Sequence, residues 1–257
     1  MAEALLQGVL NSKLLSAAEI MVSDISADRL EYLTKKYQVQ TTSNNVQTLR
    51  TAENILLAVK PQVLDGVLEE LRAVNRADRL IITIIAGVPM DKIDTQQNLR
   101  LARVMPNTPA LIGLGASAVC FNARATEQDK TFTLKLLQSV GTVVEVEEKD
   151  INAVTGLSGS GPAFVFRLMD CFIKAGESLG LASGTAQALT YQTFLGSVCL
   201  AQKSEKSLEE LIAQVTSPNG TTQAGREVLE RSDIGQIIGD TIRRAKERAD
   251  ELAKGGI

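Results

Sequence analysis

The sequence predicts an α/β domain built on a doubly wound, mostly parallel sheet, followed by an all-helical domain. Three observations carry this. Through residue 150, short apolar runs alternate with amphipathic helical stretches. Runs such as Leu80–Val88 (LIITIIAGV) lack polar alternation, as strands covered on both faces do. After Asp150 the strand period disappears and only helical repeats remain. The expected domains are therefore 1–150 and 151–257.

Each element follows in order. Met1 to Leu15 reads as a helix with Leu5, Leu6, Val9 and Leu10 on one face. The run Glu19–Asp24 is a strand, and Ser26 is placed to cap the helix SADRLEYLTKKY. VQTT (39–42) is a short extended run. NILLAVKP (54–61) is an apolar strand stopped by Pro61, which can open the helix PQVLDGVLEELRAV. Another buried strand, LIITIIAG (80–87), precedes a short helix near Met90–Thr95. LRLARVMPNTP ends in a turn punctuated by prolines; GASAVCFN is a strand, EQDKTFTLKLLQSV a helix and GTVVEVEE the last strand.

The second half holds five helical segments: 161–180, 183–202, 207–215, 221–230 and 233–255. Ser207 and Glu210 form a capping-box pattern. Phe164–Phe172 and Ala186–Cys199 are apolar on nearly every side, more than a small helical domain can bury alone. A homodimer formed through these helices is expected. The charge run RRAKERADE reads as a solvated face.

Composition limits the chemistry. The chain has 257 residues and net charge −3, so no basic field draws it to nucleic acid or an anionic membrane. Its longest apolar run is about half of what a membrane span needs, and the N-terminus has no secretory leader pattern. Cys120, Cys171 and Cys199 lack metal or redox spacing and read as small core residues in a reducing cytosol. A cytoplasmic protein without a metal site is expected. There is no histidine, which excludes Ser-His-Asp triads, Cys-His pairs and His-ligated zinc. Chemistry that asks little of the protein, such as hydride transfer from a bound cofactor, gains weight.

Ligands of doubly wound sheets sit at the carboxyl ends of the strands. The stretches to search are Ser23–Asp24, Ala58–Pro61 (AVKP), Ile84–Val88 (IIAGV) and Met105–Pro109 (MPNTP). Ala86 and Gly87 would let a flat ligand approach the backbone. Gly156–Phe164 (GLSGSGPAF) reads as a glycine–serine loop feeding a helix with Pro162 at its first position, either an anion site or a hinge. Thr216–Gly225 (TSPNGTTQAG) is the most telling. Pro218, Asn219 and Gly220 reverse the chain, and Ser217, Thr221 and Thr222 set three hydroxyls around a helix N-terminus. An ordinary cap needs one; three make a cradle for a small carboxylate.

AVTGLSGSGPAF followed by VTSPNGTTQAG resembles the pyrroline-5-carboxylate reductase family. AVKP, the alanine–glycine strand end and MPNTP fall in the same order, so the likeness covers the chain from Met1. The resemblance implies a Rossmann-like domain joined to a helical dimerisation domain. It implies reduction of 1-pyrroline-5-carboxylate to L-proline, the last step of proline synthesis, by NADPH or NADH. Ser217, Gly220, Thr221 and Thr222 would hold the substrate's carboxylate and ring, with Thr222 toward the ring nitrogen. Glu205 matches an acid that helps organise this pocket. Asn45, Ala58, Val59, Lys60, Pro61, Ile84, Ile85 and Ala86 would contact the cofactor, with Asn107 near the nicotinamide. Both protomers of the family's interlocked dimer shape each site, and five dimers can form a decameric ring.

Two departures from the family stand out. The family begins with a strand and a glycine-rich turn, about ten residues that would precede Met1 here. Their loss would leave neighbouring strand edges unpaired. Asp24 ends the second strand of the family pattern, where a carboxylate accepts from a ribose 2′-hydroxyl and opposes the extra phosphate of NADP. Two alternatives stay open: a structural or regulatory relative deficient in cofactor binding, and a related imine or β-hydroxyacid oxidoreductase. The latter would use Lys174, which lacks the flanking motif of those enzymes.

Overall fold

Residues 1–74, 79–95 and 98–254 are described by a computed structural model. They fall into two compact units. One holds residues 1–160 together with the tail from Arg244, and the other holds Gly161–Arg243.

The first unit opens with helix α1 (Ala2–Asn11), which buries Ala4, Leu5 and Val9. It stops four residues before the expected end at Leu15, and Lys13 turns the chain with φ of +56°. Strand β1 (Met21–Ser23) follows, then helix α2 (Ala27–Tyr37), capped by Ser26 Oγ accepting from the Arg29 N–H. Strand β2 (Gln40–Thr42) leads to a helix the sequence reading omits, α3 (Asn45–Thr51), capped by Asn44. Seven residues give too short a hydrophobic period to see.

Strand β3 (Asn54–Leu57) is shorter than its apolar run. Pro61 opens a 3₁₀ turn, Pro61–Val63, that leads into helix α4 (Leu64–Val74). Strand β4 (Leu80–Thr83), short helix α5 (Met90–Ile93), strand β5 (Arg100–Met105) and strand β6 (Gly115–Phe121) come next. Helix α6 (Glu127–Gln138) and strand β7 (Gly141–Glu145) complete the sheet region.

The strands form two sheets rather than one. β1 pairs with β2 in parallel, and β3-β4-β5-β6-β7 forms a five-stranded sheet. All its pairs are parallel except β5–β6. The antiparallel step follows from the short Thr108–Ile112 turn, which cannot make the crossover that parallel strands need. One core joins α1 (Ala4, Leu5, Val9) to Leu80, Ile82, Ala102 and Val104, with Ile20 and Leu56 packed against it, so α1 covers one face of the five-stranded sheet. A second core on the opposite face gathers α3 and α4 around Ile55, Ile81 and Leu101.

Helix α7 (Ile151–Val154) runs on into a wide π-type turn, Thr155–Gly159. This corrects the expected glycine–serine loop: the Ser160 N–H donates to Thr155 O at 2.8 Å, so the stretch is wound rather than open.

The second unit is helical: α8 (Gly161–Ser178), α9 (Ser183–Lys203), α10 (Leu208–Gln214), α11 (Thr221–Arg231) and the first half of α12 (Ile234–Ala253). Pro162 sits second in α8, one place later than expected. The Ser207–Glu210 capping box is present. α8 packs on α9 through the edge-to-face pair Phe172–Phe194, with centroids 5.2 Å apart. Cys120 is buried in the first unit, but Cys171 and Cys199 are exposed on α8 and α9, against the expectation that all three are core. Among the described residues no helix is long and apolar enough to cross a membrane.

Candidate active site

The expected site residues divide between the two units. In the first, Asp24 extends the β1–β2 ladder, its N–H donating to Thr42 O at 3.2 Å. Its Oδ1 accepts from the Ser26 N–H at 2.9 Å, which fixes the carboxylate at the carboxyl end of β1. Ala58, Val59 and Lys60 leave β3, and Ile84, Ile85 and Ala86 leave β4 beside them; the Ile84 N–H still donates to Leu57 O at 3.1 Å. Ala58, Lys60, Pro61 and Ala86 are exposed, whereas Ile85 is buried, so the edge presents small side chains, backbone and one ammonium.

Asn45 starts α3, and its amide donates to Glu70 Oε2 at 2.9 Å, tying α3 to α4. Asn107 is buried and engaged at both ends. Its Oδ1 accepts from the Ala116 N–H at 2.8 Å and its Nδ2 donates to Ser158 O at 3.1 Å. It therefore pins the π-type turn to the start of β6. Gly159 packs so tightly there that a Cβ would lie 2.4 Å from Met105 Cε.

In the second unit, Ser217, Gly220, Thr221 and Thr222 share one turn. The Gly220 N–H donates to Ser217 O at 3.0 Å. Asn219 is left-handed with φ of +59°, and its N–H donates to Gln223 Oε1 at 2.8 Å. A Cβ on Gly220 would lie 2.3 Å from Ser217 Oγ, so only glycine admits this hydroxyl against the helix start. α11 has no side-chain cap, and among the described residues the hydroxyls of Ser217, Thr221 and Thr222 have no hydrogen-bond partner. Three free hydroxyls at an uncapped helix N-terminus form an acceptor-seeking cradle. Glu205 is exposed ahead of α10, while this turn follows α10; a seven-residue helix, about 10 Å long, separates them within one protomer.

Two features had no sequence signal. Glu3 of α1 reaches across to α2, accepting from Arg29 at 2.6 Å, Tyr37 at 2.8 Å, Tyr32 at 2.9 Å and Lys36 at 3.1 Å. The end of α12 returns to the first unit, where Asn152 donates to Asp250 at 2.7 Å and Leu252 lies over Gly87. Both depend on contacts between residues far apart in the chain. The Cys120 thiol is pushed up to about 12 by burial, with the Glu148 carboxylate adding to the rise, so it is unreactive.

Comparison with known proteins meets this geometry. The family described as pyrroline-5-carboxylate reductase dimerisation matches residues 148–252, and that described as NADP oxidoreductase, coenzyme F420-dependent, matches residues 1–87. A pyrroline-5-carboxylate reductase from Synechocystis is 40% identical, covering 99% of this chain and 95% of its own. The chain belongs to the pyrroline-5-carboxylate reductase family. A pyrroline-5-carboxylate reductase from Pseudomonas aeruginosa is 35% identical over 98% of this chain and 93% of its own. The solved Coxiella burnetii pyrroline-5-carboxylate reductase superposes with a TM-score of 0.92 at 33% identity, covering 98% of this chain and 94% of its own. The Plasmodium falciparum pyrroline carboxylate reductase, solved with NADP bound, gives 0.87 at 28% identity, with coverage of 98% and 94%.

The family reduces 1-pyrroline-5-carboxylate with NAD(P)H in the final step of proline biosynthesis, and the chain is accordingly an oxidoreductase. The Rossmann-like and helical halves implied by the sequence are those of this family.

Proposed function

We propose that this chain reduces 1-pyrroline-5-carboxylate to L-proline as a cytoplasmic homodimer, with a nicotinamide dinucleotide held on the first unit and the substrate carboxylate on the Thr216–Thr222 turn. That turn carries the reading: its three free hydroxyls and α11's N-terminal N–H groups suit a small carboxylate. Ser217 and Thr221 donate to the carboxylate. Thr222 donates toward the ring nitrogen, which gains a proton as the C=N bond is reduced. Without histidine, a positioned hydroxyl relaying a solvent proton suits this step.

The strand ends fit a dinucleotide. Exposed Ala58 and Ala86 leave room beside the backbone, and the held Asp24 carboxylate suits ribose hydroxyls. When bound, the cofactor supplies the hydride. Asn45 and Asn107 then act by positioning, one holding α3 to α4 and the other holding the π-type turn. Glu205 has no hydrogen-bond partner among the described residues of one protomer, which suits an acid whose partners come with a second copy. The matched dimerisation family and the exposed apolar faces of α8 and α9 support that second copy. Whether dimers assemble further into a decamer is read from the size of the assembly in solution.

The test follows oxidation of NADH or NADPH by the purified chain on addition of 1-pyrroline-5-carboxylate, with L-proline measured as product. Thr222→Ala is expected to lower kcat about 10- to 100-fold with little change in thermal stability. Absence of proline overturns the reading, and an unchanged kcat overturns the role of Thr222.

A further inference from the structure

We propose that Asp24, together with the withholding of Arg29 by Glu3, makes this chain select NADH over NADPH. The inference rests on the reductase reading and concerns which nucleotide that site accepts.

Asp24 lies at the carboxyl end of β1, where nucleotide ribose hydroxyls sit in doubly wound folds. The Ser26 N–H holds one of its oxygens at 2.9 Å, and among the described residues the other has no partner. A fixed carboxylate with a free oxygen accepts well from a 2′-hydroxyl. Toward a 2′-phosphate it is a like charge at close range.

Acceptance of that phosphate would need a free cation nearby, and α2 offers three. Arg29 donates to Glu3 at 2.6 Å and stacks 5.1 Å over the Tyr32 ring. Lys36 donates to Glu3 at 3.1 Å and to Tyr32 Oη at 2.7 Å. Lys35 is paired with Glu31 one turn back. Asp28 in the first turn of α2 adds a second negative charge. Glu3 therefore acts from another helix as a specificity-determining residue, occupying the one guanidinium of α2 although Arg29 also lies within reach of the Asp24 charge.

The experiment is calorimetric titration of the purified chain with NADH and with NADPH. Binding of NADH about tenfold tighter or more is expected. Asp24→Asn keeps an oxygen for the Ser26 N–H and removes only the charge, so the ratio should shrink about fivefold or more. Adding Glu3→Ala removes the acceptor that holds Arg29 and should carry the ratio to parity or beyond. Equal binding, or NADPH preference, in the unaltered chain overturns the inference while leaving the reductase reading intact. An unchanged ratio in Asp24→Asn also overturns it, and this variant stands even if the double variant unfolds. Binding of neither nucleotide overturns the reductase reading and this inference with it.

Discussion

Burial would raise the Glu3 carboxyl, yet donation from Arg29, then Tyr37, Lys36 and Tyr32, outweighs it and holds the pKa at about 2, against 4.5 unperturbed. A depressed carboxylate pKa stabilises the fold fully above 4.5, and that stabilisation drains away as pH falls toward 2. Glu3→Gln should cost about 1–2 kcal/mol near neutral pH, less than the shift itself implies because water screens part of the cluster. Urea midpoints of the two proteins should converge across that same acid range. Gly220→Ala is a test of a different kind. The new Cβ would meet Ser217 Oγ at 2.3 Å, in an exposed turn that carries little of the fold's stability. KM for 1-pyrroline-5-carboxylate should rise about tenfold or more while the melting temperature moves little. The turn was legible in the sequence because Pro-Asn-Gly and clustered hydroxyls are local signals. Glu3 was not, because its four partners lie 26 to 34 residues away.

Elements were legible wherever a period or a cap spoke for them, as Ser26, Ser207 and Pro61 did for α2, α10 and α4. The π-type turn was hidden because glycines and serines read as loop chemistry. Its winding depends instead on Asn107 and on Gly159 lying against Met105. Asn107→Asp replaces the donor to Ser158 O with a second acceptor. The cost should be about 1–3 kcal/mol, with a larger loss of kcat than of 1-pyrroline-5-carboxylate affinity. β6 and β7 meet where Gly115 stands opposite Gly141, which has φ of +147°. A Cβ on Gly141 would lie 2.0 Å from Gly115 O, which no rotamer change can relieve. Gly141→Ala should therefore cost about 3 kcal/mol or more, read as a fall in the urea midpoint. The division into two sheets has a similar logic. Sequence shows which runs are strands, but pairing is a long-range choice, and β1 and β3 each keep an edge that no described strand occupies.

At the scale of the molecule, the second unit leaves many large apolar side chains exposed. Phe166, Phe172, Leu189, Leu195, Val198 and Leu200 on α8 and α9 are each about half exposed or more, and contiguous patches of this kind mark interfaces. α8 buries no residue, although it has 18 positions and its sequence is largely apolar. A stable homodimer would bury about 2,000 Å² or more, and paired copies of α8 and α9 offer a surface of that character. Cys171 and Cys199 lie on the same two helices and are exposed in one protomer, so a second copy seated there is expected to cover them as interface rather than core residues. Phe166→Glu combined with Leu195→Glu should therefore yield a folded chain sedimenting at the monomer mass, where the unaltered protein is expected at twice that mass. If Glu205 finds its partners on assembly, the charged variant should also lose proline formation while still binding dinucleotide on the first unit. A double variant that stays dimeric would move the interface off these helices, and a monomer with full activity would make the second copy unnecessary to the site.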